Sequence, residues 1–398
     1  MFIDKLKQRK TELTMLKLTK AVFLFFAFLL PGYGQLQAQQ GHEEEKTHVT
    51  ESHSEEIEAH ASDTHAEEGF NAGEFVIDHV SDSYDWHITS FGDKHISIPL
   101  PIIVYSKQPE LHDGQAFHVF MSSKFHHGHS AYKGFRISES EEFKGKVVEL
   151  DAAGLEIGTP IDISITKTIA GILASVVILL WLVFATAKLA KKNTGRAPTG
   201  VQNALEPIIF FIRDEVAKPA IGEHKYEKFM PFLLTLFFFI LINNFMGLIP
   251  IPPFGANVTG NIGVTMVLAL FTFAITTING NKHYWKEIYN PDVPWWLKFP
   301  IPLMPIVELS GVITKPFVLM VRLFANMMAG HLIVMVFVSL IFVFGSLFGP
   351  AVGLGASPIS ILFSVFILLL DVLVSFIQAY VFTLLSALYF GMATADHH

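Results

Sequence analysis

From Ile301 to Phe348 the chain is almost uninterruptedly apolar, and beyond the run GPAVGLGASP a second apolar stretch continues toward the C-terminus. As a helix, the first stretch alone would approach about 70 Å at about 1.5 Å per residue, against a hydrocarbon core of about 30 Å. Simple perpendicular crossing is excluded. Either the helix breaks at Gly311, Pro316 or Gly330, or the two stretches form a strongly tilted hairpin around GPAVGLGASP. Inside the first lies KPFVLMVRLFANMMAGHLIVMVF, Lys315 to Phe337, with Arg322 in its middle and His331 further on. A guanidinium does not shed its proton at physiological pH, and at a bilayer centre it costs about 2.5 to 3.5 kcal/mol on the most lenient scales. A partner or a task has to offset that cost.

The rest of the chain supports a membrane reading. About half of the 398 residues are apolar and 16% are charged, well below the share in soluble proteins. Ile169 to Ala190 is long enough to cross, and Lys188, Lys191, Lys192 and Arg196 mark its far end as cytoplasmic. Val201 to Lys218 interleaves apolar residues with Glu206, Arg213, Asp214 and Glu215, the pattern of a segment lying on a membrane surface. Phe229 to Leu248 and Ile262 to Ile278 are two further spans, followed by the basic, aromatic connector NGNKHYWKEIYNPDVPWWLKFP. No internal repeat of the alternating-access kind is visible. With no cysteines, disulfides, thiol nucleophiles and cysteine metal sites are excluded.

The first third differs in character. Residues 1–38 have the order of a secretory signal peptide: lysines, an apolar core from Ala21 to Leu30, then small and polar residues, with Met15 as an alternative start. Residues 39–71, rich in Glu, His, Ser and Thr, bury too little surface to order and read as a disordered acidic His-rich segment. Residues 72–165 hold short β-prone runs such as DWHITSF and KHISIPLPIIVYS with turn signals such as Asp113-Gly114, and read as a β-rich extracytoplasmic module. Its His126-His127-Gly128-His129 cluster reads as a polar loop, and neither a metal nor a cofactor is expected. Residues 166–398 form the membrane domain. The expected fold is an all-α polytopic membrane protein of about five transmembrane helices, with a long, strongly tilted C-terminal helical hairpin and the small β-rich N-terminal module. Its N-terminal region is exported and its C-terminus cytoplasmic.

Polar residues in the hairpin fall into two groups. Pairing Arg322 with Gln378 and His331 with Asp371 across an antiparallel hairpin centres both pairs near Pro350, so one register brings both level. Asp371 and Gln378 share a helical face, as do Arg322 and Asn326. Arg322 and His331, nine residues apart, project in opposite directions. Glu308, Lys315 and Arg322 recur every seven residues on one face, with Ser310 and Thr314 nearby. Lys315 and Glu308 near an interface also fit snorkelling. Arg322 has no acidic residue at helical contact spacing, which points to a counter-charge on another subunit. Imidazole titrates near about 6.5 and a carboxylate near about 3.9, so His331 and Asp371 suit a proton relay; a buried pair fixing helix register is the alternative.

These residues carry a resemblance. KPFVLMVRLFANMMAGH (Lys315 to His331), SFIQAYVFTLLSALYFGMA near the C-terminus, NNFMGLIP from Asn243 and VEL from Val307 resemble subunit a of the F-type ATP synthase, over about Lys167 to Ala395. The resemblance implies that Arg322 is the essential arginine facing the rotating c-ring and Gln378 its neighbour on the final helix. It implies a proton path through His331, Asp371, Gln378, Asn326 and Glu308, with Lys315, Ser310, Asn243 and Asn244 as further polar lining. Many bacterial members have Glu where this chain has His331 and His where it has Asp371, so the pair is swapped but chemically retained. The family gives no function for the N-terminal 160 residues.

The implied role is that of a non-catalytic stator subunit. Two offset aqueous half-channels meet the c-ring, and proton flow is coupled to ring rotation and ATP synthesis. Implied partners are the c-ring, the subunit b peripheral stalk, the F1 sector indirectly and the lipid bilayer of a bacterial inner membrane, with no nucleic acid. Two other classes compete: a solitary proton-coupled secondary transporter, which predicts a midplane substrate cavity, and a receptor built on the exported His-rich region.

Overall fold

The computed structural model describes residues 82–91, 94–112, 114–128, 130–140, 143–151, 153–193, 197–249, 254–289 and 303–395. The signal peptide and His-rich segment expected from the sequence lie outside the described residues, as do Asp113, His129 and Arg196. One compact unit holds Ile169–Met328 and Asp371–His398, and the other holds Tyr33–Thr168 and Ala329–Leu370, so far as these are described.

In the second unit, short strands pair antiparallel into three small sheets. β1 (Asp85–Phe91) pairs antiparallel with β2 (Lys94–Pro99). β3 (Pro101–Tyr105) lies between β4 (Phe117–Met121) and β8 (Ile161–Asp162), and β6 (Val147–Leu150) lies between β5 (Phe135–Ile137) and β7 (Glu156–Gly158). Ile102 and Val104 of β3 point inward and join Tyr84, Phe120, Phe125, Phe135 and Val147 in one core. The two-residue period of a strand puts Ile103 and Tyr105 on the other face. Arg136 bonds Glu156 at 2.7 Å across the β5–β6–β7 sheet, and that guanidinium holds the Glu156 carboxyl below its usual range. The Tyr84 phenol donates to Asp162; burial first, then this carboxylate, pushes Tyr84 upward. Asp82 accepts from the N–H of Thr168 at 3.0 Å, and Ser83 accepts from that of Lys167 at 2.9 Å. These bonds satisfy otherwise unpaired donors in the first turn of the next helix.

That helix, α1, spans Lys167–Lys192 and ends on two lysines that suit its C-terminal dipole. The segment expected on a membrane surface is α2 (Val201–Phe211), a π-helical stretch Ile212–Ala217 and α3 (Lys218–Ile221). Its buried edge is Ile212, Val216, Ala217 and Ile221. Asp214 receives both Arg213 at 2.7 Å and Lys218 at 2.6 Å, and the two cations hold its carboxyl well below the usual range. α4 (Tyr226–Leu248) is apolar on every side and 83% of its most hydrophobic window is covered by protein. An all-round apolar helix of this kind belongs in the interior. α5 (Ile262–Ile278) is followed by α6 (Lys282–Tyr289) after a bend of 105°.

Two long helices complete the chain, α7 (Leu303–Phe348) and α8 (Pro350–Thr394). Four described helices are long and apolar enough to cross a membrane, or up to five if α5 and α6 count as one bent span. α7 runs through Gly311, Pro316 and Gly330, so the helix-break alternative does not apply. The ten-residue turn expected at GPAVGLGASP is overturned as well. The turn is Gly349, at φ +95°, and α8 starts at the next residue and contains Pro358. Glycine tolerates this left-handed backbone at a helix end, while Pro350 at the first helical position lacks only an N–H that would go unpaired there.

Close packing anchors the C-terminal half of α8. Phe390 stacks on Phe229 at 4.9 Å, the N–H of Asn281 donates to Ala393 at 2.8 Å, and Lys225 donates to the Thr394 carbonyl at 2.6 Å. A Cβ on Gly391 would meet the Ala220 carbonyl oxygen at 1.9 Å, so this contact requires glycine. Gly391→Ala is expected to destabilise the fold by about 1–3 kcal/mol, as overpacking does. Thermal denaturation of the detergent-solubilised chain should show a lower midpoint than for Gly355→Ala, whose added Cβ meets nothing within 4 Å.

Candidate functional site

Arg322 occupies the side of α7 that looks away from its own chain. Leu319, Met320, Leu323 and Met327 are buried, whereas Phe317, Val318, Arg322, Ala325 and Asn326 are exposed. Among the described residues, no ion pair or hydrogen bond reaches the Arg322 guanidinium. Asn326 follows on the same exposed face, as helical spacing requires. Ser310 and Thr314 are also exposed, but each hydroxyl donates to its own helix, at 2.8 Å to Val307 and 2.8 Å to Ser310. Glu308 is half-buried. Lys315, also half-buried, lies 5.9 Å from the centre of the Tyr389 ring and lines a small pocket with Thr272, Thr276, Tyr284 and Tyr389.

Gln378 faces the opposite environment. It is buried on the packed stripe of α8 with Ser375, Ala379, Phe382 and Thr383. Three contacts mark where the two hairpin helices meet. Gly345 and Gly353, each four residues from Gly349, come so close that a Cβ on Gly353 would be 2.8 Å from the Gly345 Cα. Phe337 and Phe363, twelve and fourteen residues from Gly349, stack at 5.4 Å. Further along, Lys315 meets Tyr389. Arg322 and Gln378, 27 and 29 residues from Gly349, fall between these crossings. α7 turns the arginine outward and α8 turns the glutamine inward.

Asn243 and Asn244 are buried rather than solvent-facing. Asn243 donates to the Phe239 carbonyl at 2.8 Å, and its own oxygen meets no partner among the described residues. Asn244 accepts from Thr259 at 2.6 Å and donates to the Ser375 carbonyl at 3.3 Å, joining α4, the α4–α5 connector and α8. Thr272 and Ser386 are linked at 3.3 Å. Thr259, Thr272, Ser375 and Ser386 were not picked out from the sequence; for the last three the available signal was a hydroxyl among apolar residues of a helix. His331 and Asp371 are half-buried. Among the described residues, nothing hydrogen-bonds His331 Nε2 or Asp371 Oδ2.

A polytopic helical membrane protein with an unpaired guanidinium on an outer helix face and polar groups held inside its final hairpin is the class these features define. The ATP synthase A chain family model matches residues 169–391, more than half of the chain, and the chain belongs to that family. Similar proteins include ATP synthase subunit a of Chloroherpeton thalassium, 44% identical over 252 residues, covering 61% of this chain and 71% of that one. ATP synthase subunit a 2 of Chlorobaculum tepidum is 45% identical over 245 residues, 60% of this chain and 66% of its own. ATP synthase subunit a of Myxococcus xanthus is 40% identical over 249 residues, 60% and 75% respectively. Residues 75–164 match a second family model, described as a domain of unknown function (DUF8433).

Replacing Asn244 by Leu would leave the buried Thr259 hydroxyl without its acceptor and remove the tie from α4 to α8 at Ser375. A loss of about 1–3 kcal/mol is expected, the usual cost of an orphaned buried polar group. Thermal melting should show it as a midpoint below that of the unchanged chain.

Proposed function

We infer that this chain is the stationary proton-translocating subunit of an F-type ATP synthase, coupling proton flow across the membrane to rotation of a ring and so to ATP synthesis. The observation that carries the reading is Arg322: a fixed positive charge, unpaired among the described residues, on the exposed face of a long apolar helix in a chain of this family. Such a charge needs an anion in a membrane. A ring of c subunits passing α7, each with one carboxylate, would supply it in turn.

The mechanism follows from charge and solvation. A carboxylate facing lipid is neutral, because ionising it there is costly. Beside Arg322 the ionised form is favoured, so the proton leaves along a cytoplasmic aqueous path flanked by Glu308. The site is protonated again from the outer path, where His331 and Asp371 each hold a buried polar atom with spare hydrogen-bonding capacity. Arg322 keeps the two half-channels apart by repelling protons and holding the ionised site. Asn326 and Gln378 provide neutral hydrogen-bonding groups along the path. Lengths of 46 and 45 residues for α7 and α8 support a strongly tilted hairpin, since an upright helix of that length exceeds the hydrocarbon core of about 30 Å. The chain itself makes no covalent chemistry.

In this reading the protein sits in a bacterial inner membrane with a peripheral stalk, the ring and the F1 sector as partners. The N-terminal β-rich region is outside and the C-terminus inside, consistent with lysines at the end of α1. Family membership disfavours a solitary transporter.

Arg322→Ala in an assembled complex is expected to abolish ATP-driven proton pumping, read as dye quenching in inverted vesicles. Retained coupled pumping would sink the proposal. Exchanging the pair, His331→Asp with Asp371→His, is expected to keep more proton conduction than His331→Ala or Asp371→Ala alone. Equal loss in all three would favour a packing role for the pair.

A further inference from the structure

Two histidines of the N-terminal β-rich region lie outside the residues matched by the ATP synthase A chain family model, and both are buried. His112 ends the 3-10 turn Pro109–Leu111, and His118 is an inward residue of β4; each is 5% exposed. His112 Nδ1 lies 3.0 Å from the Lys133 carbonyl oxygen, and His118 Nε2 lies 2.9 Å from that of Gln115. A carbonyl oxygen only accepts, so these two nitrogens carry the protons. In each neutral ring the other nitrogen is then a bare lone pair. Those atoms, His112 Nε2 and His118 Nδ1, are buried and meet no hydrogen-bond partner among the described residues, one another included.

The rings are close and fixed. Their centroids are 5.4 Å apart with planes at 69°. Phe135, fully buried, stacks on His112 at 4.4 Å and meets His118 edge-on at 5.1 Å. On the backbone side, a Cβ at Gly134 would be 2.7 Å from His112 Cε1. Burying two unpaired acceptors side by side is costly, and such groups in a folded protein call for an occupant.

We propose that His112 Nε2 and His118 Nδ1 are ligands of a transition-metal site, taking a borderline divalent ion such as Zn2+, with water in the remaining positions. Two imidazoles on one such ion, with nitrogen–metal bonds of about 2.0–2.1 Å at a tetrahedral angle, have ring centroids roughly 5.2 Å apart. The observed separation matches. The outer carbonyl bonds fix tautomer and ring orientation, as they do behind most metal-bound histidines. Neutral imidazole without thiolate suits zinc, copper or nickel rather than magnesium or calcium. No third His, Cys, Asp or Glu gathers here among the described residues, so the proposed site has two protein ligands. The cluster at His126-His127 is separate in sequence and is not the pair that the fold brings together.

The test uses the detergent-solubilised full chain with His42, His48, His53, His60 and His65 replaced by Gln, which removes the His-rich segment as a competing binder. After equilibration with micromolar ZnCl2 and dialysis, metal analysis should find one zinc more per chain than in His112→Gln or His118→Gln made in the same background. Zinc should raise the melting midpoint of the background alone, and a chelator should reverse it. Folded variants that hold as much zinc as the background would overturn the site. Where a variant does not fold, zinc-edge X-ray absorption on the background decides. Two imidazole nitrogens in the first shell support the proposal, and an oxygen-only shell or no retained zinc refutes it.

Discussion

A guanidinium on the outward face of an apolar helix is the constraint around which the membrane unit is arranged. The chain offers Arg322 no carboxylate partner among its described residues. Everything near it fits a surface meant to be covered. The neighbours Ala325 and Asn326 are small and exposed, while Leu319, Leu323 and Met327 on the other side seat the helix against its own chain. The interior is filled by α4 and by the packed stripe of α8, so that α7 is held by one flank and free on the other.

The opposite logic governs the polar groups inside. Asn244 is acceptable in the apolar interior because Thr259 and Ser375 satisfy it, and Thr272 and Ser386 satisfy each other. These bonds fasten helices whose apolar surfaces would slide equally well past one another, which is the use of hydrogen bonds where the hydrophobic effect is weak. His331 and Asp371, like Asn243, each keep one polar atom unmet among the described residues.

How much of this the sequence disclosed depends on the range of the physics involved. The helices and the centre of the hairpin were legible because apolar length, Gly349 and Pro350 are local signals. The turn's size was not: GPAVGLGASP reads as a loop by composition, yet beyond Gly349 its residues are helical because Pro350 sits where a proline is harmless. Continuity of α7 through Pro316 was equally hidden, since a proline by composition reads as a helix breaker, yet the helix runs on through it. Arg322 and Asn326 were correctly placed on one face by spacing alone. Asn243 and Asn244, expected as polar lining, turn inward, a matter of which neighbours α4 meets. His112 and His118 escaped notice because a turn brings together residues six apart, whereas the adjacent histidines at 126 and 127 drew the eye.

The outward guanidinium also bears on how such a protein comes to be made. A newly inserted chain would present Arg322 to lipid tails before any anionic surface covers it, and would be least at ease in the bilayer when alone. The same residue would then discriminate between assembled and orphaned copies: covered, it is at rest, and uncovered, it draws water, lipid headgroups or a protease to the helix. One outward charge thereby supplies a chemical mark of incomplete assembly.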